Sequence, residues 1–156
     1  MTSTAHTTPR EERAVSPSAT ATTELLELDR SECLRLLAGN NFGRLAVTIS
    51  DRTPVIRPVN YVFDESSQSV VFRTALGSKF GALIRAKNAV FEIDGTDEAD
   101  QTGWSVVVSG VAEAIVREGE IERLTATSLE PWAPGQRHFW MRIRAFTVSG
   151  RRIVIS

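Results

Sequence analysis

Residues Val55–Lys79 read VIRPVNYVFDESSQSVVFRTALGSK, and the alternation within this stretch decides the fold. Val55 to Phe63 has the period of a strand, the polar group Asp64-Glu65-Ser66-Ser67-Gln68 turns the chain, and Val70, Phe72 and Thr74 alternate with Val71 and Arg73 as a second strand. Pro58 cannot donate to a ladder, so the first strand is expected at an edge or a bulge, or facing a ligand where its neighbour would be. After Thr74 the small-residue turn Ala75-Leu76-Gly77 breaks the period, and Ser78 offers an N-cap to a helix running to about Ala86. A helix start leaves N–H groups unpaired and partly positive, and Ser78 with Lys79 adds a hydroxyl and an ammonium there, a combination suited to a phosphate. The same pair is common at solvated helix starts, so these residues alone leave an anion site and a plain surface both open.

Outward from this hairpin the chain alternates short strands with a few helices. Leu25, Leu26 and Leu28 give an extended lead-in, and Asp29 with Glu32 has capping-box spacing for a helix carrying Cys33, Leu34 and Leu37 and closing at Gly39. Leu45, Val47 and Ile49 alternate as a strand, followed by a turn at Asp51-Arg52-Thr53-Pro54. Ala89 to Asp94 reads as a strand and Gly95 to Thr102 as an acidic loop. The Val-rich run Trp104 to Val116 exceeds a usual strand and contains Gly110, which predicts a bulge or barrel corner near Ser109-Gly110. Glu118 to Ser128 is read as a helix, Pro131 to Gly135 as a stiff loop, Phe139 to Arg144 as a strand, and Arg152 to Ile155 as a last strand after a turn at Gly150.

The 156 residues, 42% hydrophobic and 24% charged, fit one globular domain. Met1 to Thr23 is Thr-, Ser-, Ala- and Pro-rich and is expected to be a disordered tail, with the domain spanning Glu24 to Ser156. Net charge is −1 with dispersed Lys and Arg, so no nucleic-acid partner is expected; the group Arg142, Arg144, Arg151 and Arg152 reads as solvated strand faces. A lone cysteine, Cys33, excludes an intramolecular disulfide and a multi-cysteine zinc site, and no metal site is expected. The absence of a long apolar run and of a signal-like start leads us to expect no membrane association and a cytoplasmic location.

Six or seven strands with three short helices are too few for a sandwich covered by helices on both faces. They predict a mainly β fold, a six- to seven-stranded antiparallel split β-barrel whose helices plug ends and cover seams. Apolar residues left along a barrel flank would need cover, so a homodimer is expected.

Three segments in order, Val55-Ile56-Arg57-Pro58-Val59-Asn60-Tyr61, Val71 to Lys79 and Gly103 to Glu113, resemble the FMN-binding split barrel of the pyridoxamine 5′-phosphate oxidase-like family. The resemblance covers about Glu24 to Ile155, and Gly43-Arg44-Leu45 with Gly150-Arg151-Arg152-Ile153 resembles its short actinobacterial branch. It implies that Pro58, Val59 and Asn60 run beside the flavin ring and that Arg57 approaches the phosphate. It also implies that Thr74, Ser78 and Lys79 hold the phosphate by charge-assisted hydrogen bonds, and that Ser105 contacts the flavin. Phe80 stands where the family has a second basic residue. The longer C-terminal segment that binds pyridoxamine phosphate has no counterpart here, so oxidation of that substrate is not expected.

The function the resemblance implies is an FMN-dependent oxidoreductase acting on a small-molecule substrate and passing hydride or electrons to a small oxidised acceptor. No nucleophile is paired with a base, and neither His6 nor His138 sits in a catalytic arrangement, so no catalytic residue is named. The alternatives are a deazaflavin-dependent reductase, with Lys79 again serving the phosphate, and a non-catalytic dimeric module binding flavin or haem. Haem is the less favoured cofactor, having only His138 as a candidate ligand.

Overall fold

The computed structural model describes residues 21–48, 53–74, 84, 87–127, 129 and 139–156. In chain order these form β1 (Thr23–Leu28), α1 (Arg30–Ala38), β2 (Phe42–Thr48), β3 (Pro54–Asp64), β4 (Ser69–Thr74) and β5 (Asn88–Asp97). They continue with β6 (Thr102–Ala114), α2 (Glu118–Thr125), β7 (Phe139–Arg144) and β8 (Thr147–Ile155). All strand pairs are antiparallel, in the order β1-β8-β6-β5-β2-β3-β4-β7, and β7 returns to β6. The expected split barrel is therefore present: β6-β5-β2-β3-β4-β7 close a six-stranded ring, and β8 and β1 extend the sheet outside it. The helix expected from Ser78 lies outside the described residues except for Ile84, which is buried, and the loop Pro131 to Gly135 also lies outside them. Among the described residues no helix is long and apolar enough to cross a membrane.

Alternation fills the ring. Leu45, Val47, Tyr61, Phe63, Val70, Phe72, Phe91, Ile93, Val106, Val108, Met141 and Ile143 point inward and form one buried cluster. Helix α1 plugs this cluster with Cys33, Leu36 and Leu37, and the plug is pinned where the buried Tyr61 hydroxyl donates to the Leu37 carbonyl at 2.7 Å. The predicted N-cap holds: Asp29 Oδ1 accepts from the Glu32 backbone N–H at 2.8 Å. Glu32 does not reach back to close a capping box; its carboxylate instead binds Arg35 at 2.7 Å and Arg152 of β8 at 2.8 Å, so it staples the helix to the outer strands. Hydrogen bonds from those two arginines hold its carboxyl down to about 2.

Helix α2 does the other covering job. It lies on the outside of the ring, where Leu124 and Ile121 pack with Val62, Val71, Ile115, Leu129 and Trp140. One flank of the barrel, β4-β7 with the end of β3 at Val62, is thereby covered. The opposite flank keeps Ile56, Val90, Val111 and Phe42 exposed.

Two local readings come out differently in space, and a third is met. The acidic loop shrinks to residues 98–101, because β5 and β6 pair all the way to Asp97↔Thr102. Gly150 is no turn: Ala145-Phe146 turns the chain, and Gly150 sits within β8 opposite Leu28. A Cβ there would lie 2.7 Å from the Cys33 sulfur, so the glycine is required by the close seat of α1 on the sheet rather than by a bend. Near Ser109-Gly110 the expected corner is present, since β6 leaves β8 after Ser109↔Thr147 and takes up β7 at Ala112↔Ile143.

Candidate functional site: a fork between two strands

The β3–β4 ladder runs from Asp64↔Ser69 only as far as Tyr61↔Phe72. Beyond it β3 continues on β2, down to Thr48↔Pro54, while β4 continues on β7 to Thr74↔Phe139. The two strands thus part company and leave a fork flanked by Arg57–Asn60 on one side and Arg73–Thr74 on the other. This is the split of the barrel.

Pro58 is placed by this geometry. The Tyr61 N–H donates to Asn41 on the β2 side at 2.9 Å, so by alternation the nitrogen of Pro58 faces the other edge, toward the fork. A missing donor there costs the β2–β3 ladder nothing, and the expectation of an edge position is met. Val59 packs against the core, Asn60 is half-buried, and Arg57 is exposed with Nη1 donating to the Ile56 carbonyl at 3.0 Å.

Thr74 closes the other arm. Its residue is 5% exposed, yet its Oγ1 has no hydrogen-bond partner among the described residues, and neither does the buried Nε of Arg73. A buried hydroxyl left unpaired costs about 1–3 kcal/mol, which singles out the end of β4 as a place where a hydrogen-bond acceptor would be stabilising. Arg73 itself is turned outward, its guanidinium 5.0 Å above the Trp140 ring and Nη1 3.4 Å from the Leu129 carbonyl. Ser78 and Lys79, which continue the chain from this arm, lie outside the described residues.

Ser105 is not brought to the fork. It pairs with Asp94 on one side and Arg151 on the other, in the cross-strand row that begins at Asn60 but three strands further round the six-stranded ring, on its far wall. It borders a second recess of about 330 Å³ walled by Leu25, Asp94, Trp104, Arg151 and Ile153, which the sequence reading did not single out. The available signal was Gly95 opposite Trp104: a Cβ at Gly95 would lie 2.7 Å from the indole, so this glycine makes room for the ring. Beside the recess Arg44 Nη1 binds Asp94 at 2.7 Å and Glu92 at 3.4 Å, while burial pushes the Glu92 carboxyl up. No group of His, Cys, Asp and Glu suited to a metal occurs among the described residues.

The sequence model of the Pyridoxamine 5′-phosphate oxidase family matches residues 29–152, which span both arms of the fork and the strand of Ser105. The chain belongs to that family. An uncharacterised protein of Mycobacterium tuberculosis, Rv0080, is 35% identical over 136 residues, covering 84% of this chain and 87% of its own. Among solved structures, an FAD binding protein from Mycobacterium smegmatis is 32% identical with a TM-score of 0.69, covering 81% of this chain and 96% of its own. A conserved protein of unknown function from Corynebacterium diphtheriae, DIP1874, is 35% identical with a TM-score of 0.70, covering 83% of this chain and 98% of its own. The family assignment thus agrees with the resemblance read from the three sequence segments.

Proposed function

We propose that this protein is a flavin-dependent oxidoreductase that takes FMN at the fork and passes hydride or electrons to a small oxidised acceptor. The observation that carries the reading is the buried, unpartnered Thr74 hydroxyl at the end of β4, immediately before the Ser78-Lys79 turn. A phosphate oxygen accepts such a hydroxyl, and a dianion next to Lys79 and Arg57 gains charge-assisted bonds as well. When bound, the flavin supplies the redox chemistry, so no acid–base pair is required of the fork residues. The chain's residues then bind and orient: Thr74, Ser78, Lys79 and Arg57 hold the phosphate, and the β3 edge at Pro58 to Asn60 lies along the ring.

Ser105 joins this site through a second copy of the chain. Within one protomer Asn60 and Ser105 lie on opposite walls of the barrel with the packed core between them, so one ring system does not touch both. The uncovered flank, with Ile56 of β3, Val90 of β5 and Val111 of β6 exposed, is the surface through which a symmetric dimer would bring the partner's strand to the fork. FAD is the second reading, favoured by its being named for the 32% identical Mycobacterium smegmatis protein.

The test is the absorbance of the purified protein followed by mass spectrometry of the released small molecule. A flavin band near about 450 nm with the mass of FMN is expected; the mass of FAD selects the second reading. A protein that stays colourless after incubation with either flavin refutes both. Lys79→Ala is expected to weaken flavin binding by about 1.5–3 kcal/mol.

A further inference from the structure

The arginines of β7, which the flavin reading leaves unused, line a second cleft. It opens beside the β3–β4 turn and has a volume of about 590 Å³, with Arg117, Arg123, Arg142 and Arg144 in its wall together with Ser66 and Ser67. Strand β4 separates it from the fork: Ser69 lies at the cleft end and Thr74 at the fork end, roughly 17 Å apart at the rise of a strand. The two sites do not overlap.

The charges in this cleft do not balance. Arg123 is fully used, gripping both oxygens of Asp64 at 2.7 and 3.0 Å. Arg142 binds Glu120, and Arg142 and Arg144 share the one carboxylate of Glu113, through single contacts of 3.2 and 3.3 Å. The Arg117 guanidinium makes no hydrogen bond or ion pair among the described residues. Four guanidinium groups therefore face three carboxylates. Glu113 is the weakest of these partners, with its side chain 42% exposed and neither of its contacts bidentate.

Guanidinium forks match the oxygens of phosphate better than one carboxylate stretched between two of them. We propose that this cleft is a binding site for a small polyanion of the phosphate-ester or pyrophosphate class, held by Arg117 and Arg144, with Arg142 drawn away from Glu113 to join them. In this arrangement Glu113 is an internal competitor that occupies the arginines while the cleft is empty of anion.

Inorganic pyrophosphate titrated into the full-length protein by calorimetry, at ionic strength held constant with sodium chloride, tests this. Saturable binding is expected, weakened at least about fivefold by Arg117→Gln or Arg144→Gln and tightened several-fold by Glu113→Gln, because the competitor is gone. Arg117→Gln removes an unpartnered surface group, so an unchanged urea midpoint will show that its weaker binding is not a loss of fold. The gain with Glu113→Gln has the opposite sign to any folding defect. Thr74→Val is expected to leave pyrophosphate affinity unchanged. No saturable binding, arginine variants that bind like the parent, a Glu113→Gln variant that binds no tighter, or loss of binding on Thr74→Val each overturns the proposal.

Discussion

Replacing Thr74 by Val separates the stability of the free protein from its affinity for flavin. The two side chains have nearly the same shape, and the site is 5% exposed, so the substitution mainly exchanges a hydroxyl for a methyl group. In the free protein that hydroxyl has no partner among the described residues, and its removal relieves a desolvation penalty of about 1–3 kcal/mol. Taking about 2 kcal/mol, the melting temperature of flavin-free protein rises by about 4–8 °C for a chain of this size. In the proposed flavin complex the same hydroxyl would donate to a phosphate oxygen, and losing a hydrogen bond to a charged group costs about 1.5–3 kcal/mol, a roughly 10- to 150-fold weaker Kd. The substitution thus stabilises one state and weakens the other. Urea denaturation of the flavin-free protein and a flavin fluorescence titration read the two effects independently. A variant that is less stable when free, or that binds flavin as tightly as the parent, refutes the reasoning that this hydroxyl waits for a phosphate.

Asp64→Asn is expected to cost about 2 kcal/mol at neutral pH, since it removes a bidentate bond from Arg123 and leaves that half-exposed guanidinium to water. Arg123, with Ser67 and Ser66, holds the native Asp64 carboxyl well below the usual carboxylate range against the opposing effect of burial. Unfolded chains then bind more protons as pH falls below about 4, so this stabilisation is complete above that pH and fades in acid. Denaturation midpoints of parent and variant should therefore converge as pH falls toward the native value; a gap constant with pH contradicts the ion pair. Gly150→Ala should destabilise by about 1–3 kcal/mol by driving a methyl group into the Cys33 sulfur and Leu28, and Cys33→Ala in the same chain should recover part of the loss in a urea series. Ile56→Asp, at a side chain 60% exposed on the uncovered flank, should convert a dimer to a monomer in light scattering and lower flavin affinity with it, whereas an unchanged mass rejects that flank as the interface.

What could be read in the chain was whatever its local chemistry repeats. The alternation of Val70, Phe72 and Thr74, the Asp29 cap and the isolated Pro58 each state a backbone condition that the fold must meet, and each reappears in the β4 ladder, at the start of α1 and on the free edge of β3. Gly150 was misleading because a glycine tolerates both a turn and a crowded strand, and only the nearness of Cys33, 117 positions earlier, distinguishes them. Gly95 to Thr102 looked like a loop because its acidic and small residues suit one, yet ten successive pairs between β5 and β6 override that local preference. Within the candidate site, one hairpin carries both Arg57–Asn60 and Thr74, so their proximity followed from a short loop. The separation of Ser105 did not, because it depends on how many strands intervene in the sheet, a fact of long-range pairing.

Strand β6 is bonded along one edge to β5 over residues 102–111 and along the other first to β8 and then to β7. Fraying of one neighbour leaves β6 laddered along its other edge, so the strand stays held at the middle of the sheet. In a hydrogen-exchange experiment Val106 and Val108 should be among the last amides to exchange, releasing only at the cost of global unfolding. The doubly paired wall of β6 is consequently expected to open last, and the fork, where the β3–β4 ladder already ends at Tyr61↔Phe72, to open first.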